Sequence, residues 1–154
     1  MRATLIAFGL LTALLLGGCS STPIAGDGHP LPVETLSKGL HSGIDAPRLS
    51  VVRDGEAWQA LWQAHHAMRQ PAPPLPEIDF TRDMVIVAFM GQRPSGGYHI
   101  TVSEVMEHRG AVLVRMVSRT PPSDGIATQA LTQPFHLVRV PRLDQRVVFS
   151  LIEE

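Results

Sequence analysis

Met84-Val85-Ile86-Val87-Ala88-Phe89-Met90 is an unbroken run of seven apolar residues between Asp83 and Gly91. A strand with one face in water alternates apolar and polar residues, whereas an unbroken apolar run fits a strand buried on both faces. The run is therefore read as the central strand of a sheet. Downstream, residues 98–106 do alternate. Tyr98, Ile100 and Val102 fall on one face, and His99, Thr101 and Ser103 on the other. His108-Arg109-Gly110 is a turn and residues 111–117 form a return strand, so a hairpin is expected. Residues 135–140 and 146–152 read as a further pair around Arg142-Leu143-Asp144-Gln145. Short connections of this kind favour antiparallel pairing.

Upstream, Arg48-Leu49-Ser50-Val51-Val52-Arg53 is a short strand, and Asp54-Gly55 leads into a helix over 56–68. Trp58, Leu61, Trp62, His65 and Met68 recur at helical spacing and form one face. Asp54 is placed to cap the free N–H groups, Glu56 suits the positive end of the helix dipole, and Pro71 is a stop. The two tryptophans, the only ones in the chain, are assigned to core packing against a sheet. Pro71, Pro73, Pro74 and Pro76 make the next segment a stiff, extended connector. The expected fold is β-rich (α+β): an antiparallel β-sheet or sandwich with one packed amphipathic helix.

The chain opens with Met1-Arg2, then an almost wholly apolar stretch, then Leu16-Gly17-Gly18-Cys19. A charged start, a short apolar core and small residues at the end form a secretory signal over residues 1–18. The apolar run falls short of the ~18 or more residues that span a bilayer comfortably. Leu-Gly-Gly-Cys resembles the bacterial lipobox, which implies that Cys19 becomes the first residue and carries a lipid. Each buried CH₂ of such a chain contributes about 0.8 kcal/mol to membrane binding, so two or more chains hold firmly. Ser20 rather than Asp after Cys19 implies, by the sorting pattern of such lipoproteins, the outer membrane of a bacterial envelope. Residues 19–38, rich in Ser, Thr, Pro and Gly, read as a flexible tether, and 39–154 as a single domain.

Lys and Arg total 13 against 14 Asp and Glu, and loss of Arg2 leaves 12 against 14. There is no basic stripe, so nucleic acid is not an expected partner. With Cys19, the only cysteine, lipidated, neither a disulfide nor a thiol nucleophile is available. No Gly-x-Ser-x-Gly elbow and no His-Glu-x-x-His helix is present. Ser95 with His99 is the nearest imitation of a nucleophile and base, but Ser95 precedes a strand rather than a helix. His65 and His66 point about 100° apart on a helix and do not chelate one ion in register. No catalytic residue, cofactor or metal is expected.

Three loops carry the remaining signal. Gly91-Gln92-Arg93-Pro94-Ser95-Gly96-Gly97-Tyr98 combines adjacent glycines with a φ-fixing proline. Thr120-Pro121-Pro122-Ser123-Asp124-Gly125 is the second, and Thr132-Gln133-Pro134-Phe135-His136 opens the next strand. In order, with the apolar strand before them, these residues resemble the C-terminal domain of the PrcB family, the protease-complex subunit family, over 84–141. Ser42-Gly43-Ile44, the Trp58/Trp62 helix and Ile78-Asp79-Phe80 are similar to companions of that domain. The resemblance implies a lipoprotein that associates with a secreted protease and supports its assembly or stability, without catalytic residues of its own. The candidate partner-binding residues are Arg93, Pro94, Ser95, Gly96, Gly97, Tyr98, Pro122, Asp124 and Phe135, since loops at one end of a sandwich can cluster into a surface. Two alternatives stand beside this reading. Gly-rich loops on a β-sandwich also resemble, in style alone, those of chagasin-type protease inhibitors, and a purely structural envelope lipoprotein needs no such surface.

Overall fold

The computed structural model describes residues 28–122 and 128–154. In chain order the elements are β1 (His29–Pro30), β2 (Glu34–Gly39), β3 (Arg48–Val52), α1 (Gly55–His65), β4 (Asp83–Phe89), β5 (His99–His108), β6 (Ala111–Arg119), β7 (Phe135–Pro141) and β8 (Arg146–Glu153). They form two four-stranded sheets. The first has the order β1-β5-β6-β8 and the second β2-β7-β4-β3. The β-rich fold with one packed helix is the expected one.

The seven-residue apolar run explains the layering. In β4, Met84, Ile86 and Ala88 face the first sheet, where they meet Ile100, Val102, Val105, Val112, Val114 and Met116. Val85, Val87 and Phe89 face the opposite way, onto Trp58, Leu61 and Trp62 of α1. Every residue of 84–88 is fully buried, because β4 lies in the middle layer of three. On β5 the alternation holds through Val102 and then slips at a bulge between Val102 and Glu104, which returns Val105 to the core. The β5–β6 turn is made by Arg109 (φ 48°) and Gly110 (φ 75°), the positive φ pair that a tight two-residue hairpin requires.

α1 begins as read. Asp54 Oδ1 accepts the Ala57 N–H at 2.8 Å. The proline connector has a bonding role as well as a stiff backbone. Trp58 Nε1 donates to Pro76 O and Trp62 Nε1 donates to Pro73 O, both at 3.0 Å, so each buried indole finds its acceptor there. The helix ends at His65, earlier than expected, because Gly43 N bonds His65 O at 2.8 Å and the chain then tightens into a turn. Met68, expected on the packed face, is swung outward and is 88% exposed.

Two expectations are corrected. The tether assigned to 19–38 is already part of the sheets from His29 onward. His29 pairs with Glu107 and Pro30 with Met106, and β2 pairs with β7. Leu31 packs on one core and Leu36 on the other, so a sparse pattern of apolar residues suffices for an edge strand that buries one face. The second correction concerns the last two strands, which do not pair with each other. β7 has β2 on one side and β4 on the other, so no edge of it is free. Residues 142–145 therefore cross between sheets, and β8 pairs with β6 in parallel. Arg142 pins this corner by donating to Phe80 O at 2.7 Å and Arg53 O at 3.0 Å, while Arg53 donates to Leu143 O and Gln145 O.

Candidate functional site

β4 and β6 end, and β5 and β7 begin, at the same pole of the two sheets, so the three singled-out loops meet there. The first and third are tied to each other by hydrogen bonds; of the second only residues 120–122 are described, with Pro121 lying against Gly97. Arg93 N donates to Thr132 O at 2.7 Å and Thr132 N returns to Arg93 O at 3.1 Å. Thr132 Oγ1 donates to Ser95 O at 2.8 Å, and Gly96 N donates to Thr128 O at 2.9 Å. Arg93 Nη2 donates to Met90 O at 2.9 Å, and its guanidinium lies 5.8 Å above the Tyr98 ring, a cation–π distance. Gln133 N and Met90 N extend the network to Leu40 O and Pro134 O.

The expected site residues divide. Pro94, Gly97 and Pro122 are exposed, and Arg93, Ser95 and Tyr98 are half-buried, with Tyr98 resting on the inter-sheet core. Gly96 is buried against Thr128. Phe135 is corrected: at 5% exposure it belongs to the helix-side core, 4.2 Å from the His65 ring, because it faces inward at the start of β7. It offers no surface to a partner. Asp124 lies outside the described residues, as does Cys19. Leu131 was not singled out from the sequence, yet it is 55% exposed beside Thr132. A lone Leu in a polar loop gives no periodic signal, so only the loop geometry finds it.

Gly97 has a conformational reason for its identity. Its φ is +89°, and an added Cβ would sit 2.8 Å from Pro121 Cβ. Gly97→Ala is expected to cost about 1–3 kcal/mol through backbone strain plus this clash. Urea unfolding measures it, and a loss under about 0.5 kcal/mol would mean that the loop reshapes freely.

The serine and histidine imitating a catalytic pair are not joined. Ser95 Oγ donates to Gly96 O at 3.2 Å, and His99 projects into solvent. A different serine–histidine contact lies under the pole, between Ser42 Oγ and His65 Nδ1 at 2.8 Å, with Ser42 Oγ also accepting from Ile44 N at 3.0 Å. Among the described residues His65 Nε2 has no hydrogen-bond partner, and its ring is held against Phe89 and Phe135. Burial above all, then the charges of His66 and Arg69, lower the His65 pKa to about 4. With no acid on Nε2 to orient the ring, the pair serves to tie the 42–44 segment to the end of α1. Ile44, Ile78 and Phe80 pack on the same layer. Ser42-Gly43-Ile44 and Ile78-Asp79-Phe80 thus accompany the Trp58/Trp62 helix in sequence because they build one layer with it. Among the described residues no group of three or more His, Cys, Asp or Glu side chains is placed to hold a metal ion, and no helix is long and apolar enough to cross a membrane.

The fold and its pole define a class: a helix-backed, two-sheet β domain that presents an interlocked set of loops at one end. Residues 84–141 match the family model described as PrcB C-terminal, and over this stretch the chain is similar to that domain. The match runs from β4 to the last residue of β7, and so contains all three loops of the pole. No curated protein and no solved structure matches the chain.

Proposed function

We propose that this protein is a bacterial outer-membrane lipoprotein, acylated at Cys19, whose domain is a non-catalytic interaction module for a protease complex. The PrcB family suggests the protease-complex association. The observation that carries the rest is the polarity of the domain. The chain enters through β1, which pairs with the Met106–Glu107 end of β5, and the interlocked loops sit beyond His99 at its other end. A strand rises about 3.3 Å per residue, so the ten residues of β5 set entry and loops about 30 Å apart. A lipid on Cys19 holds the entry pole toward the membrane and turns the loop pole away from it. Pro94, Pro122 and Leu131 are then the contacts, held in shape by the bonds from Arg93 and Thr132 beneath them.

Crosslinking of the tagged full chain in its own cells tests this. The expected result is capture of a secreted protease that falls at least tenfold with Pro94→Glu or Leu131→Glu, both exposed positions whose substitution leaves the core intact. Capture of no protease, or capture unchanged by both substitutions, sinks the proposal. Protease activity assayed with and without the domain separates support from inhibition. Cys19→Ser is expected to move the protein from the membrane to the soluble fraction.

A further inference from the structure

Among the described residues, the two open four-stranded sheets have four edge strands. An edge strand offers unpaired N–H and C=O groups to any extended chain, and proteins blunt such edges with brevity, bulges, prolines or lysines. Three of the four edges here are blunted. β1 has two residues, one of them Pro30. β2 carries Lys38, and its register shifts between Thr35 and Ser37. β3 has five residues between Pro47 and Arg53. β8 is different. Its eight residues run against β6 without a register shift and include no Pro, Gly or Lys. Leu151 and Ile152 on it are each 45% exposed.

We infer that a second copy of this chain covers β8, its own β8 running antiparallel, so that two four-stranded sheets become one of eight strands. The argument is self-complementarity. Residues directly opposite in a sheet share a face, and a two-fold axis normal to the sheet preserves each face. Only residues an even number of positions apart can therefore oppose each other. The face assignments are known from the pairing with β6: Val147, Phe149 and Leu151 lie opposite core residues Val112, Val114 and Met116, whereas Arg146, Val148, Ser150 and Ile152 lie on the outer face.

With the axis at Ser150, Arg146 opposes Glu154 of the second copy, Val148 opposes Ile152, and Phe149 opposes Leu151. Both half-exposed apolar residues gain apolar neighbours, and Arg146 meets Glu154, which already pairs with Arg119 of its own chain at 3.0 Å, while Val147 meets Glu153. Moving the axis to Phe149 still gives Leu151 an apolar partner in Val147, but sets Arg146 against Ile152 and Val148 against Ser150, which loses the charge match and the apolar partner of Ile152. The outer face agrees with the first register. Met106, Leu113 and Val148 form an apolar row across one copy, and Ile152 and Val117 continue it on the other. Among the described residues, α1 packs on the second sheet and not on this face of the first.

Sedimentation equilibrium of the full chain, in detergent with micelles in excess, tests the inference. The expected result is a concentration-dependent mass of two chains. Ile152→Lys is expected to weaken association at least tenfold while the circular dichroism spectrum stays unchanged, since Ile152 is on the outer face, and to remove any dependence of the melting temperature on protein concentration. Ser150→Cys is expected to give a disulfide-linked dimer on oxidation, with the parent chain, which has Cys19 alone, as control. A single-chain mass up to about 100 µM, or a dimer that Ile152→Lys leaves intact and Ser150→Cys does not crosslink, overturns it. Interaction at the loop pole can succeed or fail independently, because β8 lies outside the stretch that carries the three loops.

Discussion

Trp58→Ala is expected to destabilise the domain by about 3–5 kcal/mol, the range for removing a fully buried large aromatic side chain. Trp58 is 2% exposed and lies at the centre of the helix layer, with its ring 5.3 Å from that of Trp62. Its loss leaves a cavity between α1 and Val85 and Val87, and strips Pro76 O of the indole N–H it accepts. α1 has eleven residues, which is marginal for a helix on its own. Its stability therefore comes from this face, and weakening the face frees the helix and the proline connector together. Trp58→Phe separates the two contributions, since it keeps most of the ring but removes the N–H. A loss of about 1–2 kcal/mol is expected, in line with one buried hydrogen bond and a smaller cavity. Urea unfolding followed by far-ultraviolet circular dichroism gives both values. A cost below about 1.5 kcal/mol for Trp58→Ala would mean that α1 is not what covers the second sheet.

The parts of this fold that were legible in the sequence are those set by local periodicity. Seven apolar residues without a polar break placed β4 between two layers, and the 3.6-residue spacing of Trp58, Leu61, Trp62 and His65 gave the buried face of α1. The Arg109-Gly110 turn marked the hairpin. What failed depends on residues far away in sequence. Whether β7 can accept β8 is decided by β2 and β4, which occupy both of its edges, and nothing within 135–152 encodes that. The 28–38 segment joins the sheets through partners about 70 to 100 positions later, and its own composition resembles a linker. At the loop pole the glycines and prolines were found by residue type. The inward turn of Phe135 and the exposure of Leu131 follow from how the loops lock together, which one-dimensional spacing does not carry.

Acid is expected to loosen the domain between pH 6.5 and about 4, through His136 and His65. His136 joins the two sheets. From β7 its Nδ1 accepts the Val102 N–H of β5 at 2.9 Å, and its Nε2 lies 2.9 Å from Thr35 Oγ1 of β2. An imidazolium has a proton on Nδ1 and cannot accept there, so protonation breaks the bond between the sheets. Burial, and then the charge of Lys38, lower the His136 pKa from 6.5 to about 4, the value also reached by His65. In both cases the unfolded chain binds the proton first. The stabilisation is therefore complete above about pH 6.5 and declines as pH falls toward 4. One pKa unit corresponds to about 1.4 kcal/mol, so each histidine withdraws on the order of 3 kcal/mol once protonated. Unfolding free energies measured by urea titration from pH 8 to pH 4 are expected to be level at the upper end and to fall steeply below 6.5. His136→Asn keeps an acceptor for Val102 N without a titrating ring. It is expected to be less stable at pH 7 and to show a clearly shallower slope. His65→Asn should remove much of the remainder, and His66, lowered by burial and then by Arg69, contributes the rest in the same direction. If the slope survives both substitutions, the proton enters elsewhere, and the contact between β5 and β7 is held by apolar packing rather than by this imidazole.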